Sequence, residues 1–191
     1  MYRLLGTHAH SWIMTFKDEY TAFKEYARLY PDACTLLVDT YDTLKSGVPN
    51  AIRVFTEMRE AGIKPKSYGI RLDSGDLAYL SKKARKMLDD AGFQDAVIAA
   101  SNDLDEFLIH DLKMQSAAIS SWGVGTNLIT SKDCPSFGGV YKLAAIQNAE
   151  GEFQPKIKIS ENIEKITNPG NKTIYRIYDK ETGMLRADLI C

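Results

Sequence analysis

Short apolar runs alternate with polar clusters along the first two thirds of the chain. Four runs each end in a cluster of aspartate, serine, asparagine or glycine, and they lie at residues 35–38, 68–72, 96–100 and 117–122. Stretches with helical spacing of apolar positions separate them, which is typical of strand–helix–strand units in a parallel sheet. The pattern predicts an α/β fold with polar clusters at the carboxyl ends of its strands.

Helix signals fill the intervals between these predicted strands. We predict a helix over residues 11–30 with Ser11 as its N-cap, and further helices over 49–61, 77–91 and 104–112. A complete barrel of this type needs about eight strand–helix units, and the chain carries only part of that number. We therefore expect a segment of a larger enzyme.

The alternation of strands and helices ends after Thr126. Turn-forming segments then separate apolar stretches at 140–146, 153–159, 173–178 and 184–190. Such spacing favours antiparallel hairpins. The sequence thus predicts two domains, with residues 1–136 as a partial TIM-like βα barrel and residues 137–191 as a β-rich segment of hairpins that is truncated at its end.

The composition excludes several classes of partner. The 191 residues carry a net charge of −1, which gives no basic surface for nucleic acid or an anionic membrane. No apolar run approaches the length that spans a bilayer, and a secretory signal is missing. Cys34, Cys134 and Cys191 are far apart and odd in number, which favours reduced thiols. We expect a cytoplasmic protein.

The segment from Arg71 to Asp76 follows the second predicted strand. Arg71 and Asp73 point to the same face of a strand, and Asp73 and Asp76 flank a turn made by Ser74 and Gly75. Carboxylates beside free N–H groups suit a polyhydroxylated ligand such as ribose, or a diphosphate bound to Mg²⁺. An ordinary loop with Ser74 or Asp76 as a helix cap is the alternative.

Gly123, Gly125 and Thr126 follow the fourth predicted strand. Two glycines permit close approach of the backbone and a concave group of amides, which is a common device for binding phosphate. A plain turn is the competing interpretation. The polar ends of the preceding strands, including Ser101 and Asn102, favour the binding interpretation because all four loops would share one edge of the sheet.

His10 lies beside Ser11 at the start of the first predicted helix. A neutral imidazole there can act as a base or a nucleophile, with His8 as a candidate partner; a structural histidine is the alternative for each. Asp39 or Asp42 could orient His10 or hold ribose, and capping competes with both roles. The histidine spacing does not match a metal site, so we predict no dedicated protein-bound metal.

Five strings occur in an order that resembles one enzyme family. They are Gly-Thr-His-Ala-His-Ser-Trp, Leu-Val-Asp-Thr-Tyr-Asp-Thr, Gly-Ile-Arg-Leu-Asp-Ser-Gly-Asp, Trp-Gly-Val-Gly-Thr and Gly-Gly-Val-Tyr-Lys-Leu. From Gly6 onward the chain resembles nicotinate phosphoribosyltransferase, a type II phosphoribosyltransferase. The resemblance implies an irregular α/β barrel that makes nicotinate mononucleotide and diphosphate from nicotinate and phosphoribosyl pyrophosphate. It also implies coupled ATP hydrolysis, a role in NAD salvage and a homodimer in the intact enzyme.

The resemblance assigns roles to individual residues. It implies that ATP phosphorylates His10, that Mg²⁺ accompanies both ATP and phosphoribosyl pyrophosphate, and that Asp73 is catalytic. The remaining residues of the matched motifs are implied to bind substrate: Arg71, Ser74, Gly75, Asp76, Ser101, Asn102, Gly123, Gly125 and Thr126.

Two other functions remain open at the level of sequence. Nicotinamide phosphoribosyltransferase shares the architecture, and a non-catalytic remnant could serve as a binding or subunit domain. The family's arginine-rich segment and its aromatic contact to nicotinate, which lie upstream, have no equivalent in these 191 residues. We therefore expect the isolated chain to be inactive in the complete reaction.

Overall fold

The computed structural model describes residues 7–130, 140–159 and 166–191. The helices in these residues are α1 (His10–Met14), α2 (Glu19–Leu29), a π-helical turn (Thr43–Gly47), α3 (Val48–Glu60), α4 (Leu77–Asp90), α5 (Glu106–Met114) and α6 (Thr126–Ile129). The strands are β1 (Ala33–Leu37), β2 (Ser67–Leu72), β3 (Val97–Ala100), β4 (Ser121–Trp122), β5 (Ala145–Gln147), β6 (Phe153–Pro155), β7 (Ile174–Tyr178) and β8 (Leu185–Ile190). Gly6 and the predicted domain boundary at residues 136 and 137 lie outside the described residues.

Strands β1 to β4 form a parallel sheet in the order β1-β2-β3-β4. Leu36, Ile70 and Ile98 align across the first three strands, and each is at most 1% exposed. Burial of such a side chain stabilises the fold by roughly 1.5–3 kcal/mol, so this row helps to fix the strand register. The predicted α/β fold with a parallel sheet is confirmed; closure into a barrel stays a prediction.

Helices α2, α3 and α4 contribute their apolar faces to the same core as the sheet. Phe23, Val54 and Leu88, one from each helix, belong to a single cluster with the buried strand residues. Pro49 lies in the first turn of α3, where its missing N–H removes no helical hydrogen bond. Gly92 follows the end of α4 with φ +81°, a conformation that only glycine adopts without strain.

The helix predicted over residues 11–30 is wrong in its extent, because it is two helices. The N-cap of α1 is Ala9, which makes no capping hydrogen bond through its side chain, so Ser11 is not the cap. The second helix starts after Asp18, whose carboxylate accepts a hydrogen bond from the N–H of Thr21. That local bond offers the backbone an alternative to continuing α1 and begins α2 instead.

The fourth strand is shorter than the predicted range of 117–122. The N–H of Ala117 donates to the carbonyl of Leu112, and that of Ser116 donates to Lys113. Ser116 has φ +55°, so these residues close the end of α5 in the left-handed turn that terminates many helices. The strand β4 that pairs with β3 therefore consists of Ser121 and Trp122.

The described residues divide into two compact units. One is drawn from Met1–Tyr141 and Lys158–Ile166, and the other from Lys142–Ile157 and Thr167–Cys191. The second unit holds two antiparallel pairs, β5 with β6 and β7 with β8, which confirms the predicted hairpins. Within the described ranges, no helix is both long enough and apolar enough to cross a membrane.

The close approach of β2 to β3 at Gly69 can be tested by substitution. A Cβ added to Gly69 would lie 2.0 Å from the carbonyl oxygen of Val97. We expect Gly69→Ala to lower the free energy of unfolding by about 2 kcal/mol or more, because the strands must separate to admit the methyl group. Urea unfolding followed by circular dichroism measures the change. Ser67→Ala in the same strand is the control, and an equal loss there would contradict the steric explanation.

Candidate active site

The polar loops after β1, β2, β3 and β4 meet at one edge of the sheet, together with the start of α1. The carboxyl ends of parallel strands share one edge, so residues far apart in sequence become neighbours there. Thr40, Asp73 and Ser101 reach this edge from three different loops, and His10 joins them from α1.

The imidazole of His10 lies between a hydroxyl and two carboxylates. Its Nδ1 is 3.0 Å from Oγ1 of Thr40. Its Nε2 is 3.6 Å from Oδ2 of Asp73 and 3.9 Å from Oδ1 of Asp39. Among the described residues this buried Nε2 has no hydrogen-bond partner. Thr40 is fully buried and was not singled out in the sequence analysis, because a threonine after a strand carries no signal of its own.

Asp39 joins the loop after β1 to the loop after β2. Its Oδ2 accepts hydrogen bonds from the N–H of Asp73 at 2.8 Å and from Oγ of Ser74 at 2.7 Å. Oδ1 of Asp39 is buried without a hydrogen-bond partner in the described part of the chain. Asp42 instead caps the π-helical turn, since its Oδ1 accepts from the N–H of Lys45 at 2.9 Å. Capping, the alternative for both aspartates, is therefore the role of Asp42, while Asp39 faces His10.

Arg71, Asp73 and Ser101 form a closed set of hydrogen bonds. Arg71 donates from Nη2 to Oδ1 of Asp73 at 3.0 Å and from Nε to Oγ of Ser101 at 2.8 Å, while the Ser101 hydroxyl donates to Oδ1 of Asp73. Burial raises the pKa of Asp73, but His10, Ser101 and Arg71 outweigh that effect and lower it well below its ordinary range. Asp73 is therefore an ionised carboxylate at neutral pH.

A cavity of about 360 Å³ opens beside this set. Its lining combines the arginine, the acidic residues, the hydroxyls and the two glycines at the ends of β2, β3 and β4: Arg71, Asp73, Ser101, Asn102, Asp103, Gly123, Gly125 and Thr126. Asp103 is the one member that sequence reasoning did not propose. Asn102 and Asp103 have φ +102° and +49°, and backbone strain of this kind clusters at functional sites.

Ser74, Gly75 and Asp76 lie outside the cavity lining. The Ser74 hydroxyl is bonded to Asp39, and Gly75 makes the turn with φ +74°. Oδ1 of Asp76 accepts from the N–H of Tyr79 at 2.9 Å and caps α4. The structure thus gives these residues local structural roles, and their contact with substrate stays a prediction.

His8 and His110 do not join His10. Nε2 of His8 accepts a hydrogen bond from the N–H of Leu37 at 3.2 Å, and its ring packs edge-on against Tyr26. Burial lowers the pKa of His8 to about 4, so it is a neutral structural residue at physiological pH. His110 is an exposed residue of α5.

Comparison with known proteins gives consistent matches. A nicotinate phosphoribosyltransferase of Bacillus subtilis (strain 168) is 57% identical over 185 residues, covering 97% of this chain and 37% of the relative. One of Dictyostelium discoideum is 46% identical over 171 residues, covering 86% and 28%. The crystal structure of nicotinate phosphoribosyltransferase from Porphyromonas gingivalis has a TM-score of 0.63 and 25% identity, covering 86% of this chain and 44% of that one. No protein-family model matches.

The fold of this chain is shared with a phosphoribosyltransferase of known structure. The chain spans 37% of the length of its Bacillus relative and 28% of the Dictyostelium one. The sequence identity to these relatives extends along most of this chain, and it identifies the particular family. The chain belongs to the nicotinate phosphoribosyltransferase family.

The buried His8 generates a prediction about stability and pH. Because its pKa falls from 6.5 unfolded to about 4 folded, the unfolded chain binds the extra proton between these values. The stabilisation is complete above pH 6.5 and is lost as the pH falls towards 4, by up to about 3 kcal/mol. We expect His8→Gln to remove this dependence. Urea unfolding between pH 4 and pH 6.5 measures the free energy of unfolding. Replacement of the exposed His110 by Gln is the control.

A dependence of this free energy on pH that is the same in His8→Gln as in the wild type would contradict the assignment.

Proposed function

We propose that this chain carries the phosphoryl-transfer and phosphoribosyl-binding part of a nicotinate phosphoribosyltransferase, which forms nicotinate mononucleotide for NAD salvage. The observation that carries the proposal is the His10 ring, held by Thr40 on one side and faced by Asp39 and Asp73 on the other. The names and identities of the relatives support the same activity.

The surroundings of His10 suit a nucleophile for ATP. Two carboxylates face Nε2 and favour the tautomer with its proton there, which leaves the lone pair on Nδ1. That lone pair would attack the γ-phosphorus of ATP as the bond to the bridging oxygen breaks and ADP departs. The positive charge that develops on the ring would be stabilised by Asp39 and Asp73. The Thr40 hydroxyl, now bonded to Nδ1, would turn to a phosphoryl oxygen.

The cavity suits the second half of the reaction. The N–H of Gly123 is donated to the carbonyl of Ala100, so Gly125 would offer its backbone N–H to the 5-phosphate, while Asp73 and Asn102 would bind the ribose hydroxyls. Arg71 would contact the nicotinate base. The ring nitrogen of nicotinate would attack C1 of the ribose as the bond to the diphosphate oxygen breaks, and fixed positions of both reactants lower the barrier.

Mg²⁺ would enter with its phosphate substrates. It prefers carboxylate oxygens, and Asp73 and Asp103 supply the carboxylates that line the cavity. The ion would neutralise charge on the departing diphosphate. The side chains of this chain would hold the ribose and the histidine in place while it does so.

The remaining sequence predictions belong to the longer protein. We propose that the parallel sheet is one wall of an irregular barrel, that the intact enzyme is a cytoplasmic homodimer, and that the upstream sequence of the relatives supplies further contacts to nicotinate. Nicotinamide phosphoribosyltransferase is not favoured, because the relatives are named for nicotinate.

The phosphorylation of His10 can be tested on this chain. We expect incubation with γ-³²P-labelled ATP and Mg²⁺ to leave an acid-labile, alkali-stable label on the wild type, because the histidine and its neighbours all lie in these residues. His10→Ala should carry no label. Gel autoradiography after acid and alkali treatment measures both.

His110→Ala is the matched control and should keep the label, since His110 is exposed on α5. A label of equal strength in His10→Ala would contradict the role of His10. No label on a wild-type chain shown to be folded by circular dichroism would overturn the assignment of the phosphoryl step to this segment.

A further inference from the structure

A second cavity lies at the opposite end of the strands. It has a volume of about 290 Å³ and is formed by α3, the loop from α3 to β2, the start of β2, and the loop from α4 to β3. We call it the amino-end pocket, and its main lining residues are Phe55, Arg59, Lys64, Tyr68, Phe93 and Asp95. It shares no residue with the candidate active site.

The wall of this pocket is aromatic and ordered. Phe55 packs edge-on against Tyr68 and Phe93, with ring centroids 5.0 and 5.8 Å apart, the arrangement that aromatic pairs prefer. The Tyr68 hydroxyl donates to the carboxylate of Asp95, so one edge of the pocket is fixed by a hydrogen bond. Phe55 and Phe93 are 2% and 3% exposed and support the wall from within the core, whereas Ile63 and Tyr68 present its open surface. A planar apolar group fits against that surface.

Two cations stand at the mouth of the pocket. The guanidinium of Arg59 lies over the Phe93 ring, 4.4 Å from its centroid. Its Nη1 donates to the carbonyl of Gly92 at 3.5 Å, and the remaining N–H groups of such a stacked guanidinium can bind an anion. Lys64 reaches the pocket from the loop after α3. Neighbouring Arg53 is paired with Glu57, whereas no carboxylate among the described residues lies within ion-pair distance of Arg59 or Lys64.

Asp95 limits the charge that the pocket accepts. Its carboxylate is held by Tyr68 on the inner side, where it would repel a second negative group. One anionic end at Arg59 and Lys64, with an uncharged ring against Ile63 and Tyr68, therefore suits the pocket best. We propose that the amino-end pocket binds a small planar aromatic monoanion, at a site separate from catalysis. The proposal does not depend on the proposed function.

The test uses naphthalene-2-carboxylate as the probe and its neutral carboxamide as the comparison. We expect saturable changes in the amide resonances of Gly92 and Phe93 when the carboxylate is titrated into the ¹⁵N-labelled chain, and weaker binding of the carboxamide. Arg59→Gln should raise the dissociation constant about tenfold, because a charge-assisted hydrogen bond is lost.

Two matched variants locate the site. Arg53→Gln removes another stacked arginine of α3, which lies 3.7 Å from the centroid of the Tyr20 ring, and should leave the dissociation constant unchanged. Arg71→Gln alters the candidate active site and should also leave it unchanged. The proposal is overturned by an absence of saturable shifts, by shifts confined to Gly123 and Gly125, or by equal affinity in Arg59→Gln and the wild type.

Discussion

The carboxylate of Asp39 is the contact on which the geometry of the candidate active site depends. It is 5% exposed, and through one oxygen it holds both the backbone of Asp73 and the hydroxyl of Ser74. A buried carboxylate is costly unless it accepts hydrogen bonds, so this link also determines how the loop after β2 must lie. His10 and Arg71 then meet Asp73 at a position set by Asp39.

The site concentrates negative charge around a histidine and balances it with Arg71. Arg71 and Ser101 both engage Oδ1 of Asp73, which leaves Oδ2 directed towards His10. Burial raises the pKa of Asp73, but the His10 ring, the Ser101 hydroxyl and the Arg71 guanidinium together lower it by more. These three neighbours thus keep Asp73 charged, which suits the positive charge that the proposed reaction develops on the ring.

The sequence predicted which edge of the sheet carries the candidate site, but it did not predict all of the residues and contacts that form the site. The apolar runs predicted the parallel strands, and four of the polar clusters do meet, because topology alone brings strand ends together. The split between α1 and α2 was missed because the local hydrogen bond of Asp18 prevails over helical spacing. Thr40 and Asp103 were missed because their roles arise from a contact across 30 residues and from an unusual backbone angle, neither of which leaves a pattern.

The spacing of polar residues in these loops nevertheless indicates which of them caps the next helix. Asp39 and Asp42 are three residues apart, as are Asp73 and Asp76, and in each pair the first faces the site while the second caps the following helical segment. An N-cap side chain accepts a hydrogen bond from the N–H two or three residues later, so the position of each helix start identifies the capping member. Asp105, which caps α5, follows Ser101 by four residues, so this loop shows the same division of roles at a different spacing. The residue nearest the strand end is then free to serve the ligand, since the helix no longer requires it.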